Sequence, residues 1–321
     1  MSGVCQGQKR DGELCGKKAK WIHQDKFYCG THSKSLEGRK AVDVAAPKRA
    51  KPKKDVKKED PLMSYQKSTT EKQIANHTAG KMGTVILTPM EGRKYPPLMN
   101  GFVRIYPSAK DKNKIDGFGR EALCPTAIGP IKHNQPDLPP AKLLWNFHMS
   151  NYVYDKDIIK GDGPVQVCKP EFYEKQKEGY MQTTKIKQVA SKAVFYIYRL
   201  SEPCKNSIVV EVNNKKHHEI HLSIAESREI YSKFYYASIV GSTDYDDLVK
   251  RVLLGYDLSI ITSNSNAMPF TKEGVYDAYA NMDEPFAHGR ILAAMLLWSV
   301  NKYEKRTLPW ERKSTLPFKV V

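Results

Sequence analysis

In the second half of the chain, three consecutive short segments contain β-branched, aromatic and other apolar residues, and polar stretches separate them. These segments are AVFYIYRL (193–200), SIVVEV (207–212) and HHEIHL (217–222). Side chains alternate between the two faces of a β-strand, and β-branched and aromatic residues are common there. The short polar stretches between the segments, SEPCKN and NNKK, are typical of turns. The pattern therefore predicts three antiparallel strands.

Directly after the third strand, the period changes to that of a helix. Ser223 and Glu226 have the spacing of a capping box, which predicts a helix that begins at Ser223. STDYDDLVKRVLLG (242–255) predicts a second helix, with acidic residues in its first turn and Gly255 after its last. The remaining segments predict a strand, a weaker helix and a central apolar helix, in this order: DLSIIT (257–262), TKEGVYDAYAN (271–281) and PFAHGRILAAMLLWSVNKY (285–303).

The first half of the chain is less regular. TVILT (84–88) and GFVRIYP (101–107) are short and β-rich, and the proline-rich segment 124–154 predicts an ordered loop across the domain surface. Together these elements predict an α+β domain over residues 81–321, with an antiparallel sheet packed against several helices. Residues 38–80 begin with a stretch rich in alanine, proline and lysine that has no periodicity, which predicts a disordered basic linker.

Three cysteines and a histidine lie close together in residues 1–37. Cys5 and Cys15 enclose nine residues, Cys15 and Cys29 thirteen, and Cys29 and His32 two. The Cys-x-x-His spacing lets one tight turn direct a thiolate and an imidazole at the same point, and the two earlier cysteines complete a tetrahedral set for structural Zn²⁺. His23 is a competing fourth ligand, although its distance from Cys29 suits a turn less well. The alternative is that all four residues are solvated in a flexible basic tail.

Composition narrows these possibilities. With 321 residues and only 6 cysteines, the chain is too long and too poor in cysteine for a disulfide scaffold. Its first ten residues lack the apolar core of a signal peptide, and no apolar run approaches the length of a membrane span. We therefore expect a soluble, intracellular protein with no membrane partner. In a reducing compartment, clustered cysteines usually indicate metal binding or catalysis.

Positive charge is concentrated at the N-terminus. Residues 1–60 contain 16 Lys and Arg against 8 Asp and Glu, a net +8 of the +17 carried by the whole chain. This pattern predicts salt-sensitive and largely non-specific binding to nucleic acid phosphates. PKRAKPKK (47–54) also fits a nuclear localisation signal, and a solubilising spacer is the alternative. The predicted contacts are Lys17, Lys18, Lys20, Lys48, Arg49, Lys51, Lys53 and Lys54.

Catalytic candidates cluster at two predicted helix starts. Glu226 lies in AESREIYSKFYY, and His288 lies in DEPFAHGRILAAMLLW together with Asp283 and Glu284. Carboxylates, histidine and arginine at helix N-termini are suited to binding and hydrolysing a nucleotide-like ligand. A structural explanation competes with this one, because Glu226 is accounted for as a cap and the acidic pair as partners of the helix dipole.

Two stretches resemble proteins of nucleocytoplasmic large DNA viruses. CQG, GELCGKKAK and FYCGTH resemble a short Cys-Cys-Cys-His finger of such proteins, which implies a zinc module and a viral source. AIGPIKHNQPDLPPAKLLWNFH, EFYEKQ, AESREIYSKFYY, GYDLSII and DEPFAHGRILAAMLL resemble a viral domain, over roughly residues 95–300. Related viral proteins often carry PFGHE where this chain has PFAHG (285–289). This chain therefore lacks the carboxylate that those proteins have at the last position of the motif.

The order of elements is also similar to that of the NADAR family, which processes ADP-ribose-linked nucleotides. In that family a glutamate flanked by aromatic residues opens a helix and acts at the glycosidic bond. The resemblance implies this role for Glu226, in SIAESREIYSKFYY, although the usual tryptophan and histidine around the glutamate are missing.

Two classes of function follow. The first is a viral accessory protein with a zinc finger and a basic arm that bind nucleic acid, and an α+β domain that contacts another viral protein. The second is a NADAR-like N-glycosidase acting on ADP-ribose-linked or modified nucleotides. We expect the protein in the host nucleus or the viral factory, or packaged in the virion. A pocket around Glu226 and His288 would favour the enzyme.

Overall fold

A computed structural model of the chain describes residues 4–9, 13–17, 21–29, 31, 32, 34, 40, 41, 61–90, 94–108, 120–161, 165–187, 189, 191–262 and 288–300. The chain divides into two compact units, Met1–Glu59 and Asp60–Val321. The helix predicted over 271–281 lies outside the described residues, as do Asp283 and Glu284.

The N-terminal unit contains a small antiparallel sheet. Strands β1 (Trp21–His23) and β2 (Lys26–Tyr28) form a hairpin, and β3 (Lys40–Ala41) pairs with the other edge of β1. Gln24 and Asp25 connect β1 to β2 with positive φ angles of 46° and 61°. Two successive residues with φ > 0 produce the turn that matches the twist of a two-residue hairpin. Strand β3 lies within the segment predicted as linker.

Helix α1 (Pro61–Thr78) corrects the prediction of disorder over the second part of residues 38–80. The helix has no apolar stripe, so hydrophobic periodicity could not reveal it. Polar side chains spaced along one helical face attach it to the domain instead. Tyr65 Oη accepts a hydrogen bond from Arg104 N, Lys72 pairs with Asp257 at 2.6 Å, and Asn76 donates to the Gly255 carbonyl at 2.9 Å.

The predicted antiparallel sheet is present in the large unit. It contains β6 (Tyr152–Tyr154), β9 (Ala193–Leu200), β10 (Ile208–Val212) and β11 (Lys215–Leu222), in the order β10-β11-β9-β6. A two-stranded ribbon of β7 (Ile158–Ile159) and β8 (Val167–Cys168) lies between β6 and β9 in the sequence. Together with the helices below, this sheet confirms the α+β class.

A second sheet of the large unit is parallel, which the sequence did not predict. Strand β12 (Asp257–Thr262) lies between β4 (Val85–Pro89) and β5 (Phe102–Ile105) and is parallel to both. All six residues of β12 are buried, as is usual for the central strand of a parallel sheet. Strand direction depends on how the long connections run, and local periodicity carries no information about that.

Helices pack against both sheets. The described helices after α1 are α2 (Leu144–Ser150), α3 (Pro170–Met181), α4 (Ile224–Ile239), α5 (Thr243–Leu253) and α6 (His288–Val300). Helix α6 contacts β4, β12, α4 and α5, and its apolar residues are buried on nearly every side, as its sequence predicted. Helix α4 packs against β9 and β11, so it joins α6 to the antiparallel sheet.

Candidate metal centre and a polar cavity

Two short ribbons bring the N-terminal cysteines together. Residues 4–9 and 13–17 run antiparallel, with Cys5 N donating to the Lys17 carbonyl and Cys15 N donating to the Gly7 carbonyl, at 2.7 and 2.8 Å. This pairing places the side chains of Cys5 and Cys15 near each other. The β1–β2 hairpin ends at Tyr28, so Cys29 and His32 follow it directly on the next turn.

The four predicted ligands converge on one point. One donor atom from each of Cys5, Cys15, Cys29 and His32 lies within 4.8 Å of the others, so the group can hold a metal ion. The Nδ1 atom of His32 lies 3.5 Å from Cys5 Sγ and 3.6 Å from Cys29 Sγ. The sulfur atoms of Cys15 and Cys29 are 3.9 Å apart. His23, the competing ligand, lies in β1 opposite Lys26.

Local backbone groups favour the ionised form of one thiol of this cluster, that of Cys29. The backbone N–H groups of His32 and Thr31 lower the pKa of the Cys29 thiol to about 6, against the desolvation by burial that opposes them. A thiol with a depressed pKa is readily ionised, and the thiolate is the form that binds metal. Gly7 N donates to Cys5 Sγ at 3.4 Å. Gly7 also has to be a glycine, because a Cβ there would lie 2.6 Å from the His32 ring.

Of the predicted nucleic acid contacts, the structure describes only Lys17. Its side chain is exposed, beside the ribbon that carries Cys5. A cationic side chain in this position is free of the burial penalty and accessible to a phosphate. The other predicted contacts lie outside the described residues: Lys18, Lys20, Lys48, Arg49, Lys51, Lys53 and Lys54.

Glu226 forms the predicted capping box. Its carboxylate accepts hydrogen bonds from the backbone N–H and the hydroxyl of Ser223, at 2.7 and 2.8 Å, and its own N–H donates to Ser223 Oγ. The side chain is exposed at the start of α4. Both carboxylate interactions are those expected of a helix cap.

His288 lies at the start of α6, where its Nε2 donates to the Pro107 carbonyl at 3.0 Å. Burial lowers the pKa of His288 to about 4, so the ring is neutral at physiological pH. Its ring centroid is 6.3 Å from that of Tyr235. Tyr235 is nine residues after Glu226, which corresponds to about 13.5 Å along α4. The structure therefore does not bring the two catalytic candidates together.

A polar cavity of about 250 Å³ opens elsewhere, between α3, β9, β11 and the proline-rich loop. Neither Glu226 nor His288 lines it. The cavity is bordered by charged and polar side chains from four separate segments: Asp137, Tyr173, Glu174, Lys177, Arg199, Asn213, Lys215 and His217. No local motif contains these residues, so the sequence pattern assigned none of them to a site.

Arg199 is the most buried cation of this cavity, with only 4% of its surface exposed. Its guanidinium lies over the Tyr173 ring, 4.8 Å from the centroid, and donates to Gln176 Oε1 at 2.8 Å. Burial lowers the pKa of His217, and the nearby Arg199 lowers it further, so His217 is uncharged at neutral pH. Besides Arg199, two further side chains that border the cavity are positively charged at neutral pH. Both are exposed lysines at its mouth.

Comparisons with protein-family models, with curated proteins and with solved structures gave no match to this chain. Among the helices in the described ranges, none is both long and apolar enough to span a membrane. Function therefore has to be inferred from the geometry of the residues themselves.

Proposed function

We propose that Cys5, Cys15, Cys29 and His32 hold one structural zinc ion, and that the unit stabilised in this way binds nucleic acid together with the basic segment that follows it. One observation carries the proposal: the distances between the donor atoms. A tetrahedral zinc ion, with Zn–S bonds of about 2.3 Å and Zn–N bonds of about 2.0–2.1 Å, separates two sulfur ligands by about 3.8 Å and a sulfur from a nitrogen by about 3.6 Å.

Three of the six separations between the donor atoms agree closely with these edge lengths. His32 Nδ1 lies 3.5 Å from Cys5 Sγ and 3.6 Å from Cys29 Sγ, Cys15 Sγ lies 3.9 Å from Cys29 Sγ, and all four donor atoms lie within 4.8 Å of one another. A disulfide would require the sulfurs to be about 2.05 Å apart. Three thiolates and one imidazole form a donor set that suits zinc, whereas calcium and magnesium prefer oxygen ligands.

Metal analysis of the full-length protein tests the first half of the proposal. We expect one zinc ion per chain, and a Cys15→Ser variant that loses it. Cys204→Ser is the matched control, since Cys204 is also a partly exposed free thiol but lies in the large unit. Zinc-free protein after expression in zinc-supplemented medium, or equal zinc content in the two variants, would contradict the proposal.

The charge distribution supports nucleic acid as the partner, because residues 1–60, which include the proposed zinc site, carry a net charge of +8. The test is binding of the full-length protein to a DNA duplex over a range of salt concentrations. Replacing Lys48, Arg49, Lys51, Lys53 and Lys54 by Gln should weaken binding and flatten the salt dependence, by about 0.9 in log–log slope for each phosphate that is no longer neutralised.

The matched control removes five exposed lysines from the large unit: Lys81, Lys160, Lys185, Lys192 and Lys205. This control lowers the net charge of the chain by the same amount. It therefore distinguishes binding through the N-terminal arm from a general effect of the net charge of the protein. We expect the control to keep most of the salt slope. Equal losses in the two variants would contradict a binding arm at the N-terminus.

The viral setting of this proposal is supported by the resemblance of the Cys-Cys-Cys-His stretch and of the large unit to proteins of nucleocytoplasmic large DNA viruses. In this setting the large unit would contact a viral protein, and the protein would act in the nucleus or viral factory or be packaged. Affinity capture from infected cells, with and without nuclease, would separate a protein partner from one bridged by nucleic acid.

A further inference from the structure

The cavity at Arg199 lies between residues of opposite charge. Arg199 and Lys177 provide positive charge, and Lys177 forms no ion pair with any residue that the structure describes. Asp137 also lines the cavity, with its Oδ1 atom 3.5 Å from Lys215 Nζ and its Oδ2 atom 3.7 Å from His217 Nδ1. Asn213 donates to Glu174 at 3.1 Å, at the rim. Donors and acceptors therefore converge on one concave space, as in small-molecule sites.

Arg199 is a buried cation, and none of the described carboxylates lies within ion-pair distance of its guanidinium, although Glu219 and Asp137 act on its charge at longer range. Glu219 lies directly opposite it on β11 and is fully buried, but its carboxylate accepts from the Tyr173 hydroxyl at 3.1 Å and lies 3.0 Å from His221 Nε2. The Nε atom of Arg199 has no hydrogen-bond partner within the described structure. Burying a charge without a paired counter-charge is costly, so an anion in the cavity would relieve an existing penalty.

A network of hydrogen bonds between buried polar side chains holds Arg199 in place. Gln176 accepts from the guanidinium and donates to Asn151 Oδ1 at 2.5 Å, and Tyr180 donates to the same oxygen at 3.0 Å. Gln135 donates to the Tyr180 hydroxyl at 2.7 Å and accepts from Arg199 N at 3.0 Å. All members of this set are buried. Such a network fixes the guanidinium before a ligand arrives, which reduces the entropy lost on binding.

We propose that this cavity binds a small ligand that carries an oxyanion, either a phosphate or a carboxylate, and also hydroxyl groups. The oxyanion pairs with Arg199 and Lys177, and the hydroxyl groups donate to Asp137. The guanidinium fork suits both oxyanions, because each presents two oxygens in one plane. A volume of about 250 Å³ equals that of roughly eight waters at about 30 Å³ each, which is the size of a small metabolite.

Titration calorimetry and thermal shift of the full-length protein provide the test. The probes are ribose 5-phosphate, inorganic phosphate, succinate and uncharged ribose. We expect at least one anionic probe to bind with a dissociation constant below about 1 mM and to raise the melting temperature, and ribose to do neither. Binding of a phosphate probe or of succinate identifies the oxyanion. Binding by ribose alone, or by no probe, would overturn the proposal.

Substitutions locate the site. Lys177→Ala should weaken the best probe by about two- to fivefold, the range of a partly screened ion pair. Lys175→Ala is its control, because it removes the same charge from the same helix outside the cavity, where Lys175 lies 3.7 Å from Asp157; the melting temperature without probe reports the loss of that pair separately. Equal effects of the two substitutions would overturn the assignment.

Arg199→Gln removes the buried charge and should weaken the probe by about tenfold or more, because a hydrogen bond to a charged group is lost. If Arg199→Gln does not fold, the Lys177 and Lys175 pair decides the question alone. Probe binding must also survive the substitution of Lys48, Arg49, Lys51, Lys53 and Lys54 by Gln. Loss of binding in that variant would place the anion on the basic arm and overturn the proposal.

Discussion

The N-terminal unit and the large unit bring their polar groups together by different physical means. The four donors around His32 come from a contiguous stretch of 28 residues, and their ribbons provide very little apolar surface. The groups around Arg199 come from segments up to 80 residues apart, between Asp137 and His217, and rest on a large hydrophobic core. A local site of the first kind would depend on a bound metal for its folding, whereas a site of the second kind is folded before its ligand binds.

Metal removal should produce the largest difference between the two regions. A strong chelator should unfold the N-terminal unit, since apparent zinc-binding free energies of about 10–16 kcal/mol supply the folding energy of small fingers at neutral pH. The large unit should keep its structure. Amide hydrogen exchange measured with and without chelator reports both units in one experiment. Unchanged protection of residues 21–28 would contradict the dependence on metal.

Phe147→Ala should destabilise the large unit and leave the N-terminal unit unchanged, which is the reverse of the effect of metal removal. Phe147 is fully buried in α2, and its ring packs against Phe234, with the centroids 4.6 Å apart. Truncating a buried Phe costs about 3–5 kcal/mol, because transfer energy is lost and a cavity remains. Chemical denaturation should show this loss in the large unit, and zinc content should stay unchanged. A fall in zinc content would show that the two regions do not fold independently.

Acid should weaken the large unit through its buried histidines. Burial, with a smaller contribution from nearby Arg228, lowers the pKa of His148 to about 3. Below pH 6.5 the unfolded state binds a proton that the folded state excludes, so stability is complete above this pH and falls as pH decreases toward 3. For one such histidine, the free energy of unfolding falls by about 1.4 kcal/mol for each pH unit in this range.

His148→Gln is the variant that isolates this effect. A glutamine does not titrate, and its amide can keep a hydrogen bond to the Tyr152 hydroxyl, which lies 2.8 Å from His148 Nε2. We therefore expect a shallower loss of stability between pH 6.5 and pH 4.5, measured by urea denaturation. The same pH dependence in both proteins would show that His148 is not the titrating group.

The smallest effect is expected for Glu226→Gln, at the start of α4. Glutamine also serves at the third position of a capping box, so the stability change should be within about 0.5 kcal/mol. Ser223→Ala should cost about 1 kcal/mol, because it removes the N-cap oxygen. Incubation with ADP-ribosylated nucleotides tests the N-glycosidase hypothesis, and we expect no release of ADP-ribose. Release that is lost in Glu226→Gln would contradict a role as a cap alone.

The residue pattern and spacing were sufficient to predict those features of the structure that depend on neighbouring residues alone. The strand predicted over 193–200 has the same bounds in the structure, and Ser223 caps α4 as predicted. The spacing of Cys5, Cys15, Cys29 and His32 identified a cluster whose atoms do converge, because short ribbons and tight turns connect them. The α+β class followed from these elements alone.

Only the tertiary structure shows the features that depend on distant segments. The parallel pairing of β12 with β4 and β5 joins residues more than 150 positions apart, and α1 is attached through polar contacts that leave no hydrophobic period. The cavity at Arg199 depends on both the strand register of β9 with β11 and the position of α3. In the sequence, an arginine within a strand pattern indicates only a polar position. The burial of Arg199 arises when the surrounding segments pack around it.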